Sequence, residues 1–236
     1  MKRSILALAV VLAAPVVPGV AHADLAFNVG AVTDYRYRGI SQSRLKPAVQ
    51  GGVDWSSGSG FYLGAWASSI KWIKDAGGGA NAEIDLYGGY KGEISEGLAY
   101  DVGVLTYQYP GNDLDPSANT TELYGALSFG MFTAKVSHSV SNLFGFADSK
   151  NSSYFDASAN LDLGDGWSVV PHVGYQKVRR NGDFSYWDYA VTLGKDFGNG
   201  LVATAAVVGT DTDAYIGGND KNLGKAGVVL GIKYNF

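Results

Sequence analysis

Between residues 26 and 236, apolar side chains recur at every second position over segment after segment. That period of two is the signature of β-strands rather than helices. Ala82, Ile84, Leu86, Gly88 and Tyr90 share one face, with Glu83, Asp85, Tyr87 and Gly89 on the other. Phe155, Ala157, Ala159, Leu161 and Leu163 oppose Tyr154, Asp156, Ser158, Asn160 and Asp162 in the same way. The chain ends on a third case, Ala226, Val228, Leu230, Ile232, Tyr234 and Phe236. Twelve strands are predicted, at 26–38, 48–55, 61–69, 82–90, 98–109, 121–129, 132–140, 154–163, 167–176, 185–197, 201–210 and 226–236. Most are long enough for a tilted strand to cross a bilayer. The composition agrees, since 33 Gly, 15 Tyr and only 17% charged residues make poor helices and good strands and turns.

The connections alternate in length. Long polar ones fall near 39–47, 70–81, 110–120, 141–153, 177–184 and 211–225, and short ones near 56–60, 91–97, 130–131, 164–166 and 198–200. Alternation of this kind puts both chain ends at the short-turn end of an even-stranded closed sheet. It predicts an all-β fold, an antiparallel transmembrane β-barrel of about 12 strands with periplasmic N- and C-termini. A soluble sandwich has no reason to alternate so strictly. A soluble barrel would also need a polar outside and a filled inside, whereas here the continuous face is the apolar one.

The apolar residue at the short-turn end of each predicted strand gives a separate check. Around the barrel these read Phe27, Trp55, Phe61, Tyr90, Tyr100, Phe129, Phe132, Leu163, Trp167, Phe197, Leu201 and Phe236. Ten of twelve are aromatic in a chain that is 13% aromatic, which is the girdle expected at a membrane–water interface. Pro171 resists the scheme, because it falls mid-strand where a closed barrel has no free edge. A bulge or a shortened strand is predicted there.

Residues 1–23 read as a secretory signal peptide, leaving residues 24–236 as the barrel. Lys2 and Arg3 begin it, Ile5 to Ala14 is apolar, and Ala21 and Ala23 place small residues before a cleavage site after Ala23. A transmembrane anchor would need about 20 apolar residues, and Pro15 and Pro18 interrupt the window. Removing the leader moves the net charge from −4 to −6. That balance excludes a basic footprint for nucleic acid. The absence of cysteine excludes disulfides, thiolate metal sites and a cysteine nucleophile.

Thr33-Asp34-Tyr35-Arg36-Tyr37-Arg38-Gly39-Ile40-Ser41-Gln42-Ser43, with Pro47-Ala48-Val49-Gln50-Gly51-Gly52-Val53-Asp54 after it, resembles the N-terminal motif of the TorF family of porins, also described as the Gcw_chp domain. Ala82 to Tyr90, Tyr100 to Val104, Tyr107 to Gly111 and Glu122 to Tyr124 continue the resemblance over most of the mature chain. It implies an outer-membrane protein of Gram-negative bacteria with a porin role. It brings no catalytic residues, and it does not name a solute.

Twelve strands tilted about 40° and spaced about 4.8 Å apart close to a backbone radius of roughly 12 Å, between barrels that fill and barrels that conduct. Gly30, Gly52, Gly64, Gly89, Gly103, Gly174, Gly194 and Gly231 fall on the polar face. Small residues there leave room for water, and they also let strands bend. The expected pore-lining charges are Asp34, Arg36 and Arg38 at the end of strand one, Glu83 and Asp85, Glu122, then Asp54 and Asp101 lower down, and Lys135. Opposed charges on a lumen wall select ions, and the excess of carboxylates predicts weak cation preference. The same residues also fit a salt-bridge network that braces the wall.

The expected activity is passive diffusion of small hydrophilic solutes or ions. The alternative is a plugged barrel with a structural or surface-binding role. An enzyme is not expected. His138 and its neighbour Ser139 point to opposite faces by parity, His172 lies two pleats from Ser168, and no G-x-S-x-G context occurs. The acidic loop 211–225 lacks the spacing of an EF-hand, so no metal or cofactor is predicted. Loop 141–153, with Leu143, Phe144 and Phe146, either folds into the lumen or stays outside. Expected partners are outer-membrane lipid, periplasmic chaperones, and the barrel-assembly machinery through the terminal Phe236.

Overall fold

The computed structural model describes residues 23–236, so the predicted leader lies outside the described residues apart from Ala23. Alternating apolar segments pair edge to edge until the sheet meets itself. The first half of the wall is β1 (Asp24–Val32), β4 (Ala48–Ser56), β5 (Phe61–Ser69), β6 (Ala82–Ser95), β7 (Leu98–Gln108), β8 (Thr120–Phe129) and β9 (Phe132–Ser139). The second half is β10 (Ser153–Ala159), β11 (Leu161–Gly164), β12 (Trp167–Lys177), β13 (Tyr186–Asp196), β14 (Leu201–Thr210) and β15 (Gly227–Asn235). Each pairs antiparallel with the next, except that β10 and β11 both pair with β12, and β1 closes the barrel against β15, with Asn28 opposite Asn235 and Val32 opposite Gly231. Because β10 and β11 occupy one position in the wall, the barrel has the twelve strands predicted.

The split between β10 and β11 falls at Asn160. Pairing with β12 runs up to Ser158 opposite His172 and resumes at Leu161 opposite Val169 in the same register. The gap therefore faces Val170 and Pro171. Proline has no N–H to give to the ladder, so the irregularity predicted at Pro171 appears on its neighbour, while β12 itself continues unbroken. Strand one is also shorter than predicted. It stops at Val32 rather than residue 38, and Arg36–Tyr37 (β2) and Ile40–Ser41 (β3) form a separate small hairpin. In the other direction, β6 runs on to Ser95 and shortens the predicted 91–97 connection to Glu96 and Gly97. The Glu93 carboxylate accepts the Gly97 N–H there at 3.1 Å.

The outside of the barrel is apolar. Val49 is 66% exposed and Val228 68%, where a soluble monomer does not keep a continuous apolar surface. At the short-turn end Phe27, Trp55, Phe61, Phe129, Phe132, Trp167, Phe197 and Phe236 all face outward and are exposed. Phe61 stacks edge-on against Tyr90 with ring centroids 4.8 Å apart. The buried core sits at the other end, inside the lumen and under the long loops. It includes Tyr35, Ile70, Ile73, Tyr107 and Tyr109, with a second cluster of Ile40, Tyr186 and Leu223. A short helix, Trp72–Asp75 (α1), and a 3-10 turn, Gly182–Phe184, lie in those loops.

A candidate pore with a hairpin across it

The segment between β1 and β4 enters the lumen. Its turn is closed by the buried Asp34 carboxylate, which accepts from Ser41 Oγ at 2.5 Å and from Ser43 Oγ at 3.1 Å. The Tyr35 N–H is drawn to Ser43 Oγ at 2.9 Å instead of to a strand ladder. This is why the alternating pattern past Val32 does not continue as barrel wall. Arg38 and Gly39 turn the tip with φ of 46° and 79°. A Cβ on Gly39 would lie 2.5 Å from Thr210 Cγ2 and 2.8 Å from Asp188 Cβ, so only glycine fits.

The tip carries Arg38 to the opposite wall. Its guanidinium donates to Glu122 Oε2 at 2.7 Å and Oε1 at 3.0 Å, and to Gln176 Oε1 at 2.6 Å. It also lies 4.2 Å from the Tyr154 ring centroid. Counting round the sheet from β1, β8 is the fifth strand one way and β12 the fourth strand the other way. The hairpin therefore spans the lumen. Burial by itself lowers the Arg38 pKa; the Glu122 carboxylate beside it turns the net shift upward, so the cation stays charged.

Neighbouring loops pack onto the hairpin. Tyr35 donates to Glu83 Oε1 at 2.6 Å, and burial pushes the Tyr35 hydroxyl up, keeping it a donor. Tyr37 meets the Tyr107 hydroxyl, and both rings pack edge-on against Phe144. Loop 140–152 thus folds inward, with Leu143 buried. Arg36 is fixed in another direction. Its Nε donates to Asp34 at 2.5 Å and its Nη1 donates to the carbonyls of Gly39, Leu223 and Lys225. It ties the hairpin to the last loop rather than facing the passage.

The lower half of the lumen is wetter. Asp54, Asp101, Lys135 and Asp156 are only partly buried, whereas Glu83, Glu122 and Asp188 are each 2% exposed or less. Tyr62 donates to Asp101 at 2.5 Å and meets Tyr124, while Tyr87 donates to Asp54. Lys135 Nζ sits 4.2 Å from the Tyr124 ring centroid. Asp85 lies across from Trp66 on β5, and its Oδ1 and the Trp66 Nε1 are buried with no hydrogen-bond partner in the protein. Asp162 faces the short-turn end and accepts the Gly164 N–H at 2.8 Å.

Two further features were outside the predicted site. His172 pairs with Asp156 at 2.5 Å and stands 3.6 Å from Asp188, which accepts from Tyr154 at 3.0 Å. The parity of β10 and β12 put Asp156 and His172 on the inner face, but their pairing needed the register. Four of the eight inward glycines, expected to leave room for water, instead seat tyrosines. A Cβ on Gly103 would lie 2.5 Å from the Tyr124 hydroxyl, and one on Gly89 equally close to that of Tyr62. Gly64 and Gly174 receive Tyr87 and Tyr154 in the same manner. Neither histidine reaches the serine weighed with it: His138 turns outward to Ser153, and Ser139 is buried.

The sequence profile of a bacterial family described as "Bacterial protein of unknown function (Gcw_chp)" matches residues 18–236. Comparison with curated proteins returns no match. Among solved structures, the KdgM porin superposes with a TM-score of 0.58 at 8% identity, covering 89% of this chain and 99% of that one. The NanC porin gives 0.57 at 12% identity with the same coverage. An outer membrane channel from Pseudomonas putida F1 gives 0.50 at 13% identity and covers 98% of both chains. At these identities the likeness is one of fold.

Proposed function

The chain belongs to the Gcw_chp family of bacterial proteins, and from that premise we propose that it is a porin-like protein of the bacterial outer membrane. Small hydrophilic solutes or ions diffuse passively through its narrow, charge-lined lumen. Residues 1–23 are its export signal, removed after Ala23, and the long loops face outward from the cell. The observation that carries this reading is the combination of a closed twelve-strand wall, an apolar outside and partly exposed charges within. In this reading Asp54, Asp101 and Lys135 meet the permeating solute. Glu83, Asp85, Glu122 and Arg38 set the field at the constriction, and Asp34 and Arg36 hold its shape. No catalytic step is assigned to any residue.

A solved structure of the KdgM porin is a complex with oligogalacturonate, a chain of carboxylates. The lumen here carries more carboxylates than cations, so neutral solutes and cations suit it better than polyanions. The hairpin across the lumen supports a second reading, a barrel closed at rest. Swelling of liposomes that hold the folded barrel, in isosmotic solutions of neutral sugars of graded size, tests the choice. Size-dependent swelling is expected; swelling no faster than in protein-free liposomes would favour the closed barrel.

A further inference from the structure

At the long-loop end, the outward positions of most strands are uncharged, as at Val49, Ser69, Ala82, Gln108 and Thr121. The sector around β12 differs. Val173, Tyr175 and Lys177 share the outward face of β12, and Arg179 continues it past the strand end. Lys177 stands opposite Ser153, and Ser153 stands opposite His138 on its other side. His138 Nδ1 lies 3.0 Å from Ser153 Oγ. Arg179 donates to the Lys150 carbonyl at 3.3 Å, which brings a third basic residue to the same place. Lys150, Lys177 and Arg179 are all exposed.

One pleat below this polar row the surface is apolar. Phe155 is paired with both Val136 and Tyr175, and Tyr175 stacks on Trp187 at 4.9 Å between centroids. Phe155 and Trp187 are exposed. A row of cations with one hydroxyl, that of Ser153, directly above an aromatic shelf matches an anionic lipid in two parts, phosphate over acyl chain.

We propose that this sector of the outer wall, over β9, β10, β12 and β13, is a binding surface for a phosphorylated lipid headgroup of the outer leaflet. Lys150, Lys177 and Arg179 meet the phosphate beside the Ser153 hydroxyl, which His138 holds while its other ring nitrogen meets Asn151, and the acyl chain lies on Phe155, Tyr175 and Trp187. The proposal rests on the outer-membrane reading above, but not on conduction. Each Lys or Arg beside an anionic lipid surface strengthens binding about five-fold. Removing three such charges therefore weakens it about a hundred-fold.

Native mass spectrometry of the folded barrel in dodecyl maltoside tests this, with diphosphorylated lipid A, an uncharged digalactosyl lipid and inorganic phosphate as separate probes. The wild type is expected to retain lipid A, and the Lys150→Gln, Lys177→Gln, Arg179→Gln variant to lose it about a hundred-fold. Lys177→Arg, which keeps the charge, is expected to hold it. Equal retention by wild type and triple variant would overturn the proposal. So would equal binding of the uncharged lipid, binding of phosphate without lipid, or a dimer that the triple variant abolishes. Conductance in neutral phosphatidylcholine bilayers is read separately. A barrel that binds lipid A yet passes no current contradicts the pore and leaves this surface standing.

Discussion

Arg38, on a hairpin that springs from β1, holds Glu122 on the far wall of the barrel in a two-pronged pair at 2.7 and 3.0 Å. Both side chains are almost fully buried, at 5% and 2% exposure. One ion pair therefore joins a loop to the strand facing it across the lumen.

Arg38→Gln is expected to free the hairpin tip and raise single-channel conductance. It leaves Glu122 buried without its partner, a loss of roughly 3–5 kcal/mol in barrel stability. Replacing Glu122 by Gln in the same chain removes the stranded charge, so the double variant should recover most of the stability and stay open. A double variant that conducts like the wild type would show that the aromatic packing of Tyr37 and Phe144 holds the hairpin unaided.

Gly39→Ala tests the same hairpin through its backbone. The left-handed φ of 79° alone costs an alanine about 1–2 kcal/mol, and its methyl would strike Thr210 and Asp188. A lower midpoint for heat-induced unfolding on gels is expected, with conductance raised or noisy. An unchanged midpoint would mean that the tip is not wedged against β13 and β14.

Asp54→Asn with Asp101→Asn removes two partly exposed carboxylates from the wetter half of the lumen while keeping oxygen acceptors for Tyr87 and Tyr62. The reversal potential in a salt gradient should shift away from cations. Screening should shrink the difference at 1 M salt, where the Debye length is about 3 Å. An unchanged reversal potential at low salt would place the selective charges elsewhere.

The barrel wall was legible because lipid outside and water inside force alternation onto every strand. Phe129, Trp167 and Phe236 could be assigned to the outside, at the short-turn end, from parity alone, and the structure puts them there. Pro171 was legible as a fault but not in its position, since the missing N–H breaks the neighbouring strand instead. The hairpin was hidden for the opposite reason. Residues 33–38 keep the period of two, and only the side chains of Asp34, Ser41 and Ser43, which capture one another and the Tyr35 N–H, take the chain out of the wall. From the sequence alone, Asp34, Arg36 and Arg38 read as one cluster of pore charges. Asp34 and Arg36 stay paired with each other, but Ser41, the Leu223 carbonyl and Glu122 give the three residues different tasks, closing a turn, stapling a loop and bridging the lumen.

Deleting Phe236 should impair assembly before it alters the pore. Its ring faces outward, 71% exposed, and packs edge-on against Tyr234 at 5.0 Å. Its N–H donates to the Phe27 carbonyl beside the β1–β15 closure. The truncated chain is expected to enter the membrane in lower yield, with normal conductance in the barrels that do form. Undiminished insertion would count against a role for this residue in recognition by the assembly machinery.

Single-channel recording of the folded chain 24–236 in a planar bilayer, with reversal potential measured across a salt gradient, addresses the central claim most directly. Small, discrete, cation-leaning steps are predicted, because a buried Arg38–Glu122 bridge narrows a lumen whose remaining wall is rich in carboxylates. Absence of steps from protein shown to be folded by its heat-modifiable migration would contradict a conducting lumen and leave a barrel closed by its own hairpin.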